Sequence, residues 1–315
     1  MLQRSNALTL ERTNAAFRHA LGSLICEALE DERVIEISVN PDGRIWIDRA
    51  GEQSAEAGCL TSDQTAQVIR FVATQMSEVV NDDHPHISGV LPTTGDRFQG
   101  VLPPLAAGPA FSIRKRAVPL YTLKDYVRDE IMSDGQCHNI VTAVERRENI
   151  LVAGGTASGK TTLTNAILAL PAFQRYRVVI LEDTPELRCS APNSVSLLTK
   201  EREPRVTMTH LVKMTLRMKP DRIIVGEVRD GAALDMVQAW NTGHPGGVCT
   251  LHANSASDAL QRLEDLIGLV SARIPRRAIA GAIDHIVFIE NGDDGRRVKE
   301  IVRVAGVDGD SYQLA

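Results

Sequence analysis

The feature that most constrains the fold of this chain is a glycine-rich segment, GGTASGKT, at residues 154–161. It fits the pattern G-x-x-x-x-G-K-[ST], and it stands between the apolar run NILVA and a helical pattern that begins at Lys160. A strand, a loop and a helix in this order aim successive backbone N–H groups at phosphate oxygens, while the N-terminus of the helix adds positive potential. The pattern predicts an α/β domain that binds the phosphates of a nucleotide.

Each residue around this loop has an expected part in binding. Lys160 is expected to bridge the β- and γ-phosphates, and Thr162 to hydrogen-bond near the α-phosphate. The Thr161 hydroxyl is expected to bind Mg²⁺, so ATP and Mg²⁺ are the predicted ligands. The predicted nucleotide-binding residues are Gly154, Gly155, Thr156, Ala157, Ser158, Gly159, Lys160, Thr161 and Thr162.

Two further strand-like runs end in acidic residues. RVVILED ends with Glu182 and Asp183, and DRIIVGE ends with Glu227. Because the carboxyl ends of parallel strands face the ligand crevice, these acids can reach the phosphates, and Asp183 can hold Mg²⁺ directly or through water. A solvated turn is the ordinary alternative for each of them. The pattern leaves open whether Glu182 or Glu227 orients the attacking water.

The chain divides into two regions that differ in their predicted secondary structure. Residues 1–117 combine a hairpin pattern, a helical stretch with Ser62 and Asp63 as its expected cap, and short strands broken by Gly and Pro, which indicates an α+β domain. Residues 118–130 are the expected linker. Residues 131–315 alternate short β-branched runs with helical patterns and end in strands with tight turns, which predicts a mostly parallel α/β sheet with an antiparallel extension.

Composition narrows the class of protein. The 315 residues carry a net charge of −5, with 43% hydrophobic and 24% charged residues, which is typical of a globular protein. No apolar run approaches the roughly 20 residues that span a bilayer, and no secretory signal pattern is visible, so a cytoplasmic location is expected. Basic residues are spread along the chain, so no stable nucleic-acid partner is expected, and pairs such as Arg296 and Arg297 are interpreted as solvated surface.

The stretch NTGHPGGVCTLHANS raises the question of a metal site. His244, Cys249 and His252 have H-x₄-C-x₂-H spacing, which could be read as three zinc ligands. No fourth ligand lies nearby in the sequence, and Cys249 and Leu251 should share one face of the strand GVCTLHA, opposite Thr250 and His252. The pattern favours a turn followed by a core strand, with His252 at its end, where it could sense the γ-phosphate.

Four motifs occur in order along the second region: GGTASGKTT, LEDTPEL, LRMKPDRIIVGEVRDGAALDMVQAWNTGHPGGVCTLHANS and ALQRLEDL. Together they resemble the secretion traffic ATPases, and within them the TrbB-like conjugal transfer branch of the type IV secretion ATPases. The resemblance is strong over residues 130–290 and weaker over residues 84–116. It implies an N-terminal α+β, PAS-like domain joined to a RecA-like P-loop NTPase domain in a hexameric ring.

The resemblance also implies roles for single residues. Glu182 and Asp183 match an acidic box, Glu227 matches the Walker B glutamate, and His252 matches the histidine of a further box. The segments GDRFQGVLPP and FSIRKR resemble those whose arginines reach the phosphates; a surface salt bridge is the alternative for each arginine. The implied catalytic residues are Glu227, Glu182, His252, Arg97 and Arg114, with Arg116 as a further candidate.

One loop position departs from the family pattern G-x-T-G-S-G-K-T. Ala157 stands where the family has the middle glycine. If that position requires a positive φ, alanine costs on the order of 1 kcal/mol. This departure is not taken as a sign of inactivity.

The resemblance implies an ATPase motor that powers pilus assembly or substrate transfer in conjugation. Its implied partners are further copies of the chain, inner-membrane channel subunits and coupling ATPase subunits, with peripheral membrane contact. A type II secretion or type IV pilus ATPase and a nucleotide-gated, non-hydrolysing assembly module are the alternatives. A helicase is disfavoured because no basic, aromatic strand-binding stretch is present.

Overall fold

The computed structural model describes residues 2–76, 78–91, 94–116, 121–200, 203–292 and 295–315, with side chains described from Ala15 onward. The chain forms two compact units, Met1–Val118 and Pro119–Ala315. Each unit has its own sheet and its own hydrophobic core. The predicted fold class, an α+β domain followed by a P-loop α/β domain, is confirmed.

The first unit is one antiparallel sheet with two helices packed on it. Its strands lie in the order β3-β2-β1-β6-β5-β4, and Leu21, Ile25 and Ile69 of the helices are buried in the same core as Phe98 of the sheet. Its elements are α1 (Leu2–Glu30), β1 (Val34–Val39), β2 (Arg44–Arg49), β3 (Ala55–Cys59), α2 (Ser62–Gln75), β4 (His86–Val90), β5 (Arg97–Val101) and β6 (Ala110–Arg114).

The hairpin and the first-unit helix follow from local chemistry. Strands β1 and β2 pair antiparallel around the predicted turn, so the hairpin is confirmed. Helix α2 is also confirmed, but its cap is Thr61 rather than Ser62 or Asp63. The Thr61 hydroxyl accepts the Gln64 backbone N–H at 3.2 Å, and the Gln64 side chain accepts the Thr61 N–H at 2.8 Å. This reciprocal pair satisfies two backbone donors at the helix start, which makes Thr61 the cap in place of Ser62 or Asp63.

The second unit is one large mixed sheet covered by helices. The strand order is β14-β13-β12-β7-β11-β10-β8-β9; β12 to β9 run parallel, and β13 and β14 extend the sheet antiparallel. Its elements are α3 (Leu123–Arg128), α4 (Asp134–Glu145), β7 (Ile150–Gly154), α5 (Lys160–Leu168), a 3₁₀ turn (Pro171–Arg175), β8 (Val178–Glu182), β9 (Ser194–Leu198), α6 (Met208–Thr215), β10 (Arg222–Val225), α7 (Ala232–Asn241), β11 (Val248–His252), α8 (Ala256–Gly268), α9 (Arg276–Ala282), β12 (His285–Gly292), β13 (Gly295–Asp308) and β14 (Ser311–Leu314).

The central strands are apolar because helices cover both of their faces. Every residue of β7, β8 and β10 is buried. Leu151 and Val179 pack in the core beneath α6 to α9, whereas Val152 and Ile180 pack in the core beneath α3 to α5. The alternating strands and helices predicted for this region are confirmed, and the sheet brings the carboxyl ends of its parallel strands to one edge.

The segment expected to be a linker contains a helix. Helix α3 lies within it, and its Leu123 and Tyr126 are buried in a core of the second unit. Residues 117–120 lie outside the described residues, so residues 118–130 as a linker stay a prediction. Among the helices of the described residues, none has the length and apolar character needed to cross a bilayer.

Candidate functional site

The phosphate loop connects the end of β7 to the start of α5. Gly159, the residue before the helix, has a φ of +98°, which a side chain would disfavour. A Cβ at Gly154 would overlap the carbonyl oxygen of Ile289 and would lie 2.6 Å from the Ser158 hydroxyl. Two of the motif glycines are therefore required by backbone geometry and close packing, apart from any contact with a ligand.

Ala157 occupies a position that favours glycine. Its φ is +57°, in the left-handed region. An alanine Cβ there comes too close to the following carbonyl, at a cost of roughly 1–2 kcal/mol. The position therefore does require a positive φ, and the loop carries backbone strain at Ala157.

Lys160 lies folded back on its own loop. Its Nζ donates to the carbonyl oxygens of Gly154 at 2.9 Å and of Gly155 at 2.6 Å. Burial lowers the pKa of Lys160, while the nearby Glu227 carboxylate opposes that shift. A phosphate oxygen is a stronger acceptor for an ammonium group than a neutral carbonyl is. The contacts that hold Lys160 are thus of a kind that phosphates can replace.

The sheet register brings the ends of the neighbouring strands beside the loop. In the pairing of β11 with β7, His252 lies directly opposite Gly154. Strand β10 lies next to β11, and its last residue, Val225, is followed within two residues by Glu227. Loop, histidine and glutamate therefore share one edge of the sheet, as predicted for parallel strands.

Glu227 and Asp183 are joined by an arginine. Arg229 Nε donates to Glu227 Oε2 at 2.9 Å, its Nη2 donates to the same oxygen, and its Nη1 lies 3.8 Å from Asp183 Oδ2. Asp183 Oδ1 also accepts from the Thr199 hydroxyl at 2.8 Å. The two predicted acidic residues of different strands thus form one charged network at the edge of the sheet.

Glu182 has different surroundings from Glu227. Its side chain is buried at the end of β8, and Oε1 accepts the backbone N–H groups of Glu186 and Leu187, both at 2.8 Å. These bonds hold the loop after β8 in place. By contrast, the Glu227 side chain is 24% exposed and lies within electrostatic range of Lys160. The geometry favours Glu227 over Glu182 as the group that meets a water molecule.

The groups predicted to hold Mg²⁺ have suitable chemistry. Thr161 lies in the first turn of α5, and Asp183 offers a carboxylate whose side chain is 41% exposed. Magnesium prefers hydroxyl and carboxylate oxygens and keeps several of its waters. Thr161 and Asp183 therefore fit the ion, either directly or through water.

The metal interpretation of the NTGHPGGVCTLHANS stretch conflicts with the strand geometry. Cys249 and Leu251 are buried in the same core cluster, as predicted, while His252 is exposed at the strand end. Burial raises the pKa of the Cys249 thiol, which disfavours the thiolate that zinc requires. His244 Nδ1 lies 3.1 Å from the Ala239 carbonyl oxygen, in the turn before the strand.

The predicted arginines of the first unit lie next to one another. Arg97 of β5 is the direct register partner of Arg114 of β6, so their side chains share one face of that sheet. Arg114 Nε also lies 3.9 Å from Glu36 Oε2. The Arg116 backbone N–H donates to the buried Asp96 at 2.8 Å. Arg97 and Arg114 thus form one cationic pair in the first unit.

Comparison with known proteins identifies the family. The model of the type II/IV secretion system protein family matches residues 96–288. The chain belongs to this family. It is 49% identical over 296 residues to the conjugal transfer protein TrbB of Rhizobium radiobacter, an alignment that covers 93% of this chain and 91% of that protein. The resemblance to TrbB-like type IV secretion ATPases is thereby confirmed.

Two further similarities are consistent with this family. The chain is 37% identical to the type IV secretion system protein PtlH of Bordetella pertussis, over 85% of this chain and 89% of that protein. A crystal structure of the pilus retraction motor PilT with bound ADP has a TM-score of 0.61 at 20% identity, covering 92% of this chain and 81% of that one. At that identity the PilT structure supports the fold alone.

Sequence reasoning missed Arg229 in this secretion-family site. The residue stands two positions after Glu227 in the motif GEVRD, so the signal was present. The acidic residues at strand ends indicate phosphate chemistry without any cation beside them, so that pattern does not single out Arg229. Its partner Asp183 follows another strand, and only the sheet brings the two together.

Proposed function

We propose that this protein is an ATPase motor that hydrolyses ATP to power conjugal transfer pilus assembly or substrate translocation in a type IV secretion system. The observation that carries the proposal is the charged network of Glu227, Arg229 and Asp183 at the sheet edge that holds the phosphate loop. A site that only held phosphates would not need a carboxylate beside Lys160.

Different residues of the site are proposed to bind the nucleotide and to promote its hydrolysis. When a nucleotide enters, its β- and γ-phosphates replace the carbonyl oxygens of Gly154 and Gly155 as acceptors for Lys160. Glu227 accepts a hydrogen bond from the attacking water and orients it for in-line attack. Arg229 holds the Glu227 carboxylate in position, while the exposed His252 lies beside the loop, where it senses the γ-phosphate.

The cationic pair of the first unit supplies the remaining charge. Arg97 and Arg114 are direct register partners on adjacent strands, so two guanidinium groups share one face of the sheet. Arg97 and Arg114 are therefore suited to the charge that spreads over the γ-phosphoryl oxygens in the transition state. The motor is proposed to assemble as a homo-oligomer, a hexamer, beside inner-membrane channel subunits and coupling ATPase subunits.

Steady-state hydrolysis and nucleotide binding test this proposal. Lys160→Ala should weaken ATP binding by at least about 10-fold because it removes the charge-assisted contacts. Glu227→Gln should keep binding but slow hydrolysis by about 10²- to 10³-fold, since an amide cannot accept the proton of the water. Removal of Mg²⁺ with a chelator should abolish turnover.

The matched control is Glu145→Gln, at an exposed glutamate in the last turn of α4. It makes the same chemical change just before the amino end of β7, whose carboxyl end joins the phosphate loop, and should leave both ATP binding and ATP hydrolysis unchanged. If wild-type protein binds ATP but does not hydrolyse it in any oligomeric state, the motor proposal fails and a nucleotide-gated assembly module remains.

A further inference from the structure

An arginine of the C-terminal hairpin lies against the phosphate loop. Arg296 stands near the start of β13, opposite Asn291 of β12. A Cβ built on Gly159 would lie 2.6 Å from Arg296 Nε, 2.9 Å from its Cδ and 3.0 Å from its Cζ. The guanidinium therefore covers the last glycine of the loop, immediately before α5 begins. Arg296 is exposed to solvent, as the sequence alone suggests, and the same side chain contacts the loop.

The position is electrostatically unfavourable for a cation. The N-terminus of a helix is its positive end, where anions are stabilised and cations are not. Lys160, the first residue of α5, already places one positive charge there. Within the described part of the chain, no carboxylate pairs with Arg296, whereas Arg276 and Arg229 each contact two. An anion bound in the loop would turn this repulsion into attraction.

A second observation in the loop points to a ligand. Ser158 is only 2% exposed, and among the described residues its hydroxyl has no hydrogen-bond partner. A buried polar group without a partner costs free energy, so such groups are rare without a reason. Ser158 thus carries a buried hydroxyl without an acceptor one residue before Gly159, the glycine that Arg296 covers.

The hairpin holds Arg296 in place. Two residues further along β13, the Val298 N–H donates to the Ile131 carbonyl at 2.7 Å, and the Gln136 side chain donates to the Val298 carbonyl at 3.0 Å. The other edge of this part of β13 pairs with β12. The backbone that carries Arg296 is thus held from both edges and needs little reorganisation when a ligand binds.

We propose that Arg296 is a nucleotide-binding residue that contacts the diphosphate portion of the nucleotide on the Gly159 side of the loop. This rests on the proposed function, because it needs a nucleotide in the same loop. Arg296 belongs to the unit that contains the loop, so its contact is separate from that of the arginine pair of the first unit. It acts on binding, with or without a γ-phosphate.

Titration calorimetry with ADP, pyrophosphate and adenosine tests the proposal on the full chain. Arg296→Gln should weaken ADP and pyrophosphate binding by roughly 10-fold and leave adenosine binding unchanged, since a charge-assisted hydrogen bond is lost. Arg296→Lys should fall between Gln and wild type. The control is Arg297→Gln, the next residue of the same strand, which lines a cavity with Val127 and Ile131; it should bind all three as wild type does.

Thermal unfolding without ligand separates binding from folding. Because the Arg296 cation is repelled at this site, Arg296→Gln should keep or raise the unfolding temperature. A lower unfolding temperature, an equal loss of adenosine binding, or ADP affinity equal to wild type would each overturn the proposal. If Lys160→Ala loses ADP binding while Arg296→Gln keeps it, only the role of Arg296 is refuted. If wild type binds no ADP, the proposed function fails as well.

Discussion

At the residue scale, the phosphate loop retains an alanine where its backbone favours glycine. Ala157 has a φ of +57°. Gly159, two residues further along, has a φ of +98°, which causes no clash because glycine has no Cβ. Strain of this kind persists where the surrounding structure holds the backbone in place, and it is concentrated at functional sites. The strained residue lies in the segment that is proposed to bind phosphates.

Ala157→Gly should raise the free energy of unfolding of the second unit by about 0.5–1 kcal/mol. Glycine relieves the clash of the Cβ, but it also adds entropy to the unfolded chain, which reduces the gain. Chemical denaturation measures the change. The control is Ala280→Gly within α9, where the same substitution should lower stability by about 1 kcal/mol. A loss at both positions would show that Ala157 is not strained.

A second residue-scale feature is the fully buried Arg222. Its guanidinium lies 4.6 Å from the Phe173 ring centroid and 4.5 Å from that of Tyr176, and it donates to the Val144 carbonyl at 2.9 Å. Two aromatic faces and two backbone carbonyls, of Val144 and Gly246, thus stabilise a cation that, among the described residues, has no carboxylate partner. Burial lowers the pKa of Arg222, and the contact with Tyr176 opposes this.

Arg222→Ala should lower the free energy of unfolding by about 3 kcal/mol, because it removes the cation–π contacts and leaves a cavity. Denaturant unfolding followed by circular dichroism measures the loss. Arg217→Ala, at an exposed arginine just before β10, serves as the control and should change stability by less than about 0.5 kcal/mol. Equal effects of the two substitutions would contradict the role assigned to Arg222.

At the scale of elements, the amino ends of β7 and β12 carry a polar cluster that the proposed reaction does not use. Asp284 accepts the Asn149 backbone N–H at 2.7 Å, and His285 Nε2 lies 2.8 Å from Glu148 Oε2. Burial raises the pKa of Asp284, with Glu148 adding to the shift and His285 and Arg303 opposing it. The cluster ties the two strands together at the end of the sheet opposite the phosphate loop.

Asp284 should make the second unit less stable as the pH rises. With the folded pKa above the unfolded value of about 3.9, the folded state binds the proton more tightly. Stability is therefore lost as the pH rises from the unfolded pKa through the raised folded pKa. Asp284→Asn keeps an acceptor for Asn149 and removes this loss, so its stability relative to wild type should increase with pH above about 4. If the difference in stability between Asp284→Asn and wild type stayed constant with pH, the raised pKa of Asp284 would be refuted.

At the scale of the whole molecule, the proposed motor draws on both units. The loop, Glu227 and His252 belong to Pro119–Ala315, whereas Arg97 and Arg114 belong to Met1–Val118. We expect substitutions in the loop to change nucleotide binding and substitutions of the arginine pair to change turnover, because the loop contains its own phosphate-binding groups. In the proposed mechanism the arginine pair acts mainly on the transition state.

Arg114→Gln in the full chain should therefore slow ATP hydrolysis by at least about 10²-fold while changing ADP affinity far less. Paired measurements of kcat and of the Kd for ADP provide the readout. Arg44→Gln, at an exposed arginine of β2 in the same unit, is the matched control and should leave both unchanged. If Arg114→Gln weakened ADP binding as strongly as it slowed hydrolysis, Arg114 would be a ground-state contact instead.

Two helices of the second unit were not predicted from the sequence. Helices α4 and α6 were not assigned, although each begins with a reciprocal cap, Ser133 with Gln136 and Thr207 with His210; only the first follows the S-x-x-Q pattern that a sequence shows. Helix α6 has only eight residues, and the buried residues of α4 (Ile140, Ala143 and Val144) lie only in its second half, so apolar spacing alone does not separate these helices from loops. The places of the motif residues in the fold were predicted better, because they lie at strand ends, where apolar periodicity defines the strand and a turn follows.

The sequence by itself determined the strand, loop and helix around Lys160, the alternation of strands and helices, and the positions of Glu227 and His252 at strand ends. Local backbone sterics and apolar periodicity act over a few residues, so a single segment contains that information. Only the tertiary structure decided that Arg229 joins the two acidic strand ends and that Arg296 covers Gly159. Those contacts depend on sheet order and register, which bring together segments that lie far apart in the chain.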